Sequence, residues 1–352
     1  MTADIHLKSW KDKDYTDDNI PLKLYETIQA LNQMADYARD NNIKNIFILG
    51  DVNDTKSIIS VSAVALFMEY LSKNSDLNYH IIHGNHDIAI SQGKKISSIE
   101  LFKNFKNVKI YLKPEIITLD GVKISIVPYS KILEEDIIGL HRDDPSCKIL
   151  FGHFGLSDAK LETDISVACK LDSKALFEYY DYIFLGHYHK PQEIFNSAGN
   201  KFVIYCGSPV PFRSSEKFDE KRFVEFDLNT FKTHFIPTEG YRKYVEYVIR
   251  NANELELYKD SIKKDIENKN FVVIRKDKNL DISKYIDIND LYSIYDILEK
   301  DEIYEVNRGI TSSMSLKDIM KKYMEIENLD ESVREKYLSH AEEVLRNFSF
   351  MK

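Results

Sequence analysis

Four times along this chain a short apolar run ends in glycine and at once delivers a polar side chain. The stretches are "KNIFILGD", "LNYHIIHGNHD", "CKILFGHFGL" and "YDYIFLGHYHKP". Short, almost wholly apolar runs bounded by turn residues read as strands buried on both faces. Repeated in this way, they restrict the chain to an α/β architecture. In such a sheet, binding and reacting groups stand on the loops at the carboxyl ends of the strands. The recurrent glycine-to-polar step is therefore where a site is expected.

The intervening segments fit that frame. Residues 22–40 place Leu24, Ile28, Leu31, Ala35 and Ala38 at helical spacing and predict an amphipathic helix. The stretch "SIISVSAVALFMEYL" is apolar nearly all round: Ile58, Val61, Val64, Leu66, Phe67, Tyr70 and Leu71 exceed one core-facing stripe. Burial on two sides or a subunit interface would each account for it. Past residue 200 the pattern turns β-rich, in "KFVIYCGSP", "RFVEFDL" and "THFIP". A break at Pro237–Gly240 divides residues 1–238 from a small α/β module over 239–308. Residues 309–352 then read as a linker followed by two amphipathic helices. Leu316, Ile319, Met320 and Tyr323 line one, and Val333, Tyr337 and Val344 line the other.

Composition sets outer limits. The apolar fraction of 43% and charged fraction of 30% over 352 residues are those of a globular protein. No apolar run reaches the roughly 18 residues of a membrane span, and no signal peptide is apparent. Cys147, Cys169 and Cys206 lack metal-ligand spacing and read as buried thiols, which predicts a protein of a reducing cytoplasm. A net charge of −9 argues against a non-specific nucleic-acid coat. It does not argue against a nuclease, because carboxylates that bind divalent cations carry formal negative charge that the metal then reverses.

The strand ends, with "ADIHL" at the start, deliver Asp4 and His6, Asp51 and Asp54, Asn85, His86 and Asp87, His153, and His187 and His189. Any one alone reads as a hydrogen-bonded structural residue; together, and in this order, they point to a metal site. Carboxylates, an amide oxygen and imidazoles without thiolate suit manganese, iron or zinc in a catalytic rather than a structural setting. Seven ligands exceed the needs of one ion and suffice for two that share a carboxylate, roughly 3.5–4 Å apart. Such a pair clamps a phosphate and activates a water. A histidine that is not a ligand is the natural proton donor to the leaving alkoxide.

The motifs "DIH", "GDVND", "GNHD", "GHFGL" and "GHYH" resemble the five phosphoesterase motifs of calcineurin-like metallophosphoesterases. With "YCGSP", the small following module and the helical tail, the chain resembles SbcD-type DNA exonuclease subunits, and most of all those of large tailed phages. The resemblance implies a four-layer α/β/β/α sandwich with a small α/β cap and a C-terminal helical tail. It implies that Asp4, His6 and His189 hold one metal, that Asn85, His153 and His187 hold the other, and that Asp51 bridges them. Two divalent ions, manganese foremost, are then the cofactors. His86 would donate the proton, with Asp54 orienting it; a loop cap is the alternative for Asp54. Asp87 would brace its loop. Thr55-Lys56 replaces the Arg-Gly of the superfamily's protein phosphatases, and Asp87 replaces their glutamate, which favours a diester substrate.

Arg213, Lys217, Lys221 and Arg222 in "FRSSEKFDEKR" are candidate contacts to DNA phosphates, or else part of a solvated loop. The tail either packs on its own domain or docks an SbcC-type, SMC-like ATPase, as the resemblance implies; a homodimer is also expected. The implied activity is metal-dependent DNA hydrolysis, exonucleolytic from 3′ ends and endonucleolytic on single strands, gated by the partner's ATP hydrolysis. The rivals are a small-molecule phosphodiesterase or phosphatase and a non-catalytic scaffold. One anomaly stands out. Relatives carry an apolar strand before the first motif, whereas only Met1, Thr2 and Ala3 precede Asp4. A central strand cannot be omitted without leaving backbone groups unpaired. The expectation is a late start, with Asp4 and His6 poorly held in the chain as it stands.

Overall fold

The computed structural model describes residues 1–297 apart from 10, 11, 13, 57, 92, 93 and 161–170. Two sheets carry the fold. In the first, β1 (Asn45–Leu49) pairs in parallel with β2 (Asn78–Ile82), and β2 with β5 (Val108–Tyr111). A hairpin of β3 (Ile88–Ser91) and β4 (Lys94–Ser97) stands between β2 and β5 in the chain. The second sheet comprises β6 (Glu115–Leu119), β7 (Val122–Val127), β8 (Ile149–His153), β9 (Tyr182–Gly186), β10 (Gln192–Phe195) and β11 (Phe202–Tyr205), in the order β10–β11–β9–β8–β7–β6. Its four central strands are parallel and its two edge strands antiparallel. An antiparallel ribbon follows, β12 (Arg222–Phe226) with β13 (Thr233–Pro237).

The period-2 alternation of the strands sorts their side chains into layers. On β1, Ile46 and Ile48 face outward into one cluster with α1 (Leu22–Asp40) and α2 (Val61–Lys73), whereas Phe47 and Leu49 face inward. The inward set meets Ile149, Phe151 and Phe184 of the second sheet. Leu150, Ile183 and Leu185 point the other way, against residues of α3 (Leu133–Asp143) and α4 (Ser173–Leu176). The result is the expected α/β/β/α stack.

The region before Asp4 is paired on both sides, which corrects the expectation that Asp4 and His6 are poorly held. Thr2 forms a parallel bridge to Ile48, its N–H donating to the Phe47 carbonyl and its carbonyl accepting from Leu49 N–H. Met1 exchanges backbone bonds with Val224 on β12, at 2.6 and 2.9 Å. Three residues thus stitch β12 to β1 and give Asp4 a rigid base. Asp4 and His6 are buried, at 0% and 4% exposure, rather than loosely held.

Helix α2 is capped by Ser60, whose hydroxyl accepts from Ala63 N–H. It buries Ala63, Val64, Phe67, Tyr70 and Leu71 along one stripe, while Val61 is 84% exposed. Burial on two sides is therefore not its explanation. Beyond β13, a three-stranded sheet of β14 (Tyr244–Ile249), β15 (Phe271–Asp277) and β16 (Ser293–Ile297) carries α5 (Ala252–Glu267). Met1–Arg275 with Asp281–Tyr295 forms one compact unit; Lys276–Leu280 belongs to a second, most of which lies beyond the described residues. Within the first unit Arg242 ties the ends together, donating to Asp12, Asp14 and Glu26 while lying over the Phe271 ring. Cys147 and Cys206 are free and buried; Cys169 lies outside the described residues. So does the tail that carries Leu316, Ile319, Met320, Tyr323, Val333, Tyr337 and Val344. No helix among the described residues is long and apolar enough to cross a membrane.

Candidate metal centre

The site forms where the strands' carboxyl ends converge on the segment after Met1–Ala3. Asp4 N–H donates to the Gly50 carbonyl and His6 N–H to the Asp51 carbonyl, so the first motif runs beside the loop that follows β1. Asp4, His6, Asp51 and His187 all have positive φ, from 47° to 98°. That region is uncommon outside glycine, though Asp and His tolerate it better than most. Its concentration here marks backbone held in strained conformations by the surrounding fold. Gly186, the last residue of β9, allows the two sheets to close: a Cβ there would lie 2.1 Å from the Leu49 carbonyl oxygen and 2.8 Å from both the Ala3 Cβ and His153 Nδ1.

The seven expected ligands come together. His6 Nε2 and His189 Nε2 face each other at 2.9 Å, with Asp4 Oδ1 4.0 Å from His6 Nε2. Asn85 Oδ1 lies 3.1 Å from His153 Nε2 and 2.9 Å from His187 Nδ1. Asp51 Oδ2 stands between these groups, 3.3 Å from His153 Nε2 and 3.9 Å from His6 Nε2. Asp4, His6 and His189 offer ligand atoms that all fall within 4.8 Å of one another, as do Asp4, Asp51 and His153. His6 Nδ1 is buried without a hydrogen bond. Two imidazole nitrogens aimed at each other beside buried carboxylates are the donor set of a divalent cation site, and the residues fit such ions.

The electrostatics divide the histidines: His153 carries a proton that a bound ion would displace, whereas His6 and His187 do not. Burial opposes ionisation of Asp51, but His153 and His6 outweigh it and hold the carboxyl well below the usual carboxylate range. Burial likewise opposes a charged His153, yet Asp51 pushes it up to about 9. At Asp4 burial wins and pushes the carboxyl up to about 6. Burial lowers His187 to about 4 and takes His6 well below its ordinary value, so both rings are neutral at pH 7, the form that binds metal.

The model of the calcineurin-like phosphoesterase family matches residues 1–191, more than half of the chain. The chain is a calcineurin-like phosphoesterase. Proteins of this family work with divalent metal ions. Over 337 residues the phosphoesterase is 24% identical to exonuclease subunit 1 of Enterobacteria phage T4, across 90% of this chain and 91% of that one. Over 279 residues it is 25% identical to a subunit of the nuclease SbcCD of Staphylococcus epidermidis, across 68% of this chain and 70% of that one.

Around these residues the phosphoesterase builds a supporting layer. His153 Nδ1–H donates to the Leu49 carbonyl at 2.7 Å, which leaves Nε2 for the site. Asp87 is fully buried and accepts from the N–H groups of Gly84, Val52 and Asn53, bracing two site loops against each other. His86 N–H donates to Asp51 Oδ1 at 2.8 Å, and its ring lies edge-on to His6 at 5.0 Å.

Two expectations need correction. His86 is oriented by the backbone carbonyl of Asp54, 2.6 Å from its Nδ1, and not by the Asp54 carboxylate. That carboxylate instead accepts from Lys8 Nζ at 2.8 Å and lies 3.5 Å from His6 Nδ1. The basic cluster expected to contact DNA is also largely committed to carboxylates. Lys221 is 1% exposed and paired with Glu216. Lys217 pairs with Glu246, and Arg222 pairs with Glu193 while stacking on Phe235. Only Arg213 of the four is exposed. Glu216, which the sequence motifs do not single out, accepts from His189 Nδ1 at 3.2 Å. Burial works against its charge, but His189 and Lys221 outweigh it and hold the carboxyl at about 2.

Proposed function

We propose that this phosphoesterase is the nuclease subunit of a DNA-processing complex, hydrolysing DNA phosphodiesters with two divalent ions, manganese foremost. It would work with an SMC-like ATPase of the SbcC type. The observation that carries the reading is the extent of the similarity. The alignment to a phage exonuclease subunit spans 90% of the chain, well past the 191 residues of the phosphoesterase match. A small-molecule phosphoesterase has no need of that additional length.

In this reading Asp4, His6 and His189 hold one ion, Asn85, His153 and His187 the other, and Asp51 spans the two. Bound ions supply a clamp on the phosphate and a water of lowered pKa. The remaining roles belong to the chain. The Asp54 carbonyl accepts the Nδ1 proton of His86, so in the imidazolium form of the ring Nε2 is the nitrogen through which His86 hands its second proton to the departing sugar oxygen, returning to the neutral ring. Asp51, accepting from His86 N–H, locks the loop that carries it. Thr55 and Lys56 stand where protein phosphatases of the superfamily place an arginine and a glycine, which supports a diester over a monoester. Digestion of duplex ends from 3′ termini and cutting of single strands are the expected activities.

The test is the purified chain with manganese, offered linear duplex DNA, nitrophenyl phosphate and a cyclic nucleotide in parallel. Degradation of DNA supports the proposal. Turnover of the small esters with DNA untouched refutes it.

A further inference from the structure

Glu216 ends a 3-10 turn, Ser214–Glu216, between β11 and β12. Its Oε1 accepts from His189 Nδ1–H at 3.2 Å, and its Oε2 accepts from Lys221 Nζ at 2.6 Å. Lys221 Nζ also donates to the His189 backbone carbonyl and to Ser208 Oγ, both at 3.0 Å, and lies 3.4 Å from Asp219 Oδ2. Glu216 and Lys221 are each 1% exposed, and Ser208 is fully buried.

A buried ion pair is a poor source of stability, because desolvating two charges offsets most of their attraction; apolar side chains of similar volume serve a core as well or better. The geometry points to another use. A carboxylate at Nδ1 fixes the proton there and leaves Nε2 as a lone pair. In His189 that Nε2 is the atom facing His6 Nε2 at 2.9 Å. Lys221 grips both the carboxylate and the backbone of the histidine it serves, so the ring cannot turn without losing its bond to a carboxylate held in place. The neighbouring Lys217 pairs with Glu246 of β14, which also accepts from Arg275 at 2.7 Å and anchors the far side of the turn.

We propose that Glu216, held by Lys221, is a positioning residue that sets the tautomer and ring orientation of His189 for metal binding. This rests on His189 being a ligand, as argued above. Loss of such a support lowers metal affinity by roughly 10–100-fold.

Manganese titration of the full chain by calorimetry, with the absorption spectrum of the cobalt-loaded protein as a second readout, tests it. Glu216→Ala should weaken binding of one ion by about that factor and change the cobalt spectrum. Glu216→Gln, which keeps an acceptor oxygen, should recover most of the affinity. Because Glu216→Ala strands a buried lysine, the double variant Glu216→Ala/Lys221→Met provides the control for folding. It should regain the metal-free melting temperature and still bind manganese weakly. Wild-type affinity in Glu216→Ala, or affinity that returns with stability in the double variant, would overturn the proposal. If the wild-type chain binds no manganese, the metal-centre reading itself fails.

Discussion

The closure of the two sheets at Gly186 is the feature on which the site's geometry depends most, and Gly186→Ala perturbs it with a single methyl group. The added carbon would lie 2.1 Å from the Leu49 carbonyl oxygen. A relaxed carbon–oxygen contact lies at about 3.3 Å, so one backbone must retreat by about 1 Å. The oxygen has little freedom, because it also accepts from His153 Nδ1 at 2.7 Å. Ala3 and His153 close the other directions at 2.8 Å. β9 must therefore move, and His187 and His189 move with it. Overpacking of this kind costs about 1–3 kcal/mol of stability. A misplacement of about 1 Å at a catalytic constellation costs on the order of 100-fold in rate. Urea unfolding of the metal-free protein, a manganese titration and initial rates on linear DNA would measure the three effects separately. Stability, affinity and rate all within twofold of wild type would refute the claim that this glycine sets the spacing between the sheets.

Other perturbations have equally definite outcomes. Asp87→Ala leaves the N–H groups of Gly84, Val52 and Asn53 without their acceptor and should cost several kcal/mol, at about 1–3 kcal/mol per stranded buried group, in the same unfolding assay. Manganese at about 100 times its dissociation constant should stabilise the chain by about 2.7 kcal/mol for each ion bound, and a chelator should reverse this in a melting experiment. His80 is lowered by burial from 6.5 to about 4, with Tyr111 Oη on Nδ1 and Asn45 on Nε2. The unfolded chain therefore takes up a proton that the folded one refuses. The stability His80 contributes is complete above pH 6.5 and falls away towards pH 4, by about 3 kcal/mol. His80→Phe should flatten that part of the stability-against-pH curve.

Most of the residues that converge on the site were legible because, Asp4 and His6 apart, they sit at or just after a strand end, where an apolar run, a glycine and polar residues follow one another in the sequence. The four layers were legible for the same reason, since Ile46 and Ile48 must face away from Phe47 and Leu49. What escaped is long-range or backbone-borne. The orientation of His86 by a carbonyl at Asp54 leaves no trace in residue identity. Glu216 and Lys221 lie in "SSEKFDEKR", which reads as a solvated charged loop; their partners His189 and Ser208 come from elsewhere in the chain. Met1–Ala3 is too short to register as a strand, yet it pairs on both sides because β1 and β12 each present an edge to it.

The central claim is tested most directly by incubating the purified chain and its His86→Ala variant with manganese and end-labelled linear duplex DNA, while measuring metal content in both. The account predicts that the wild type shortens the DNA, that the variant loses at least about 100-fold of that rate, and that both bind manganese equally. Undiminished cleavage by the variant, or no cleavage by a fully metal-loaded wild type with the proposed ATPase partner present, would contradict it.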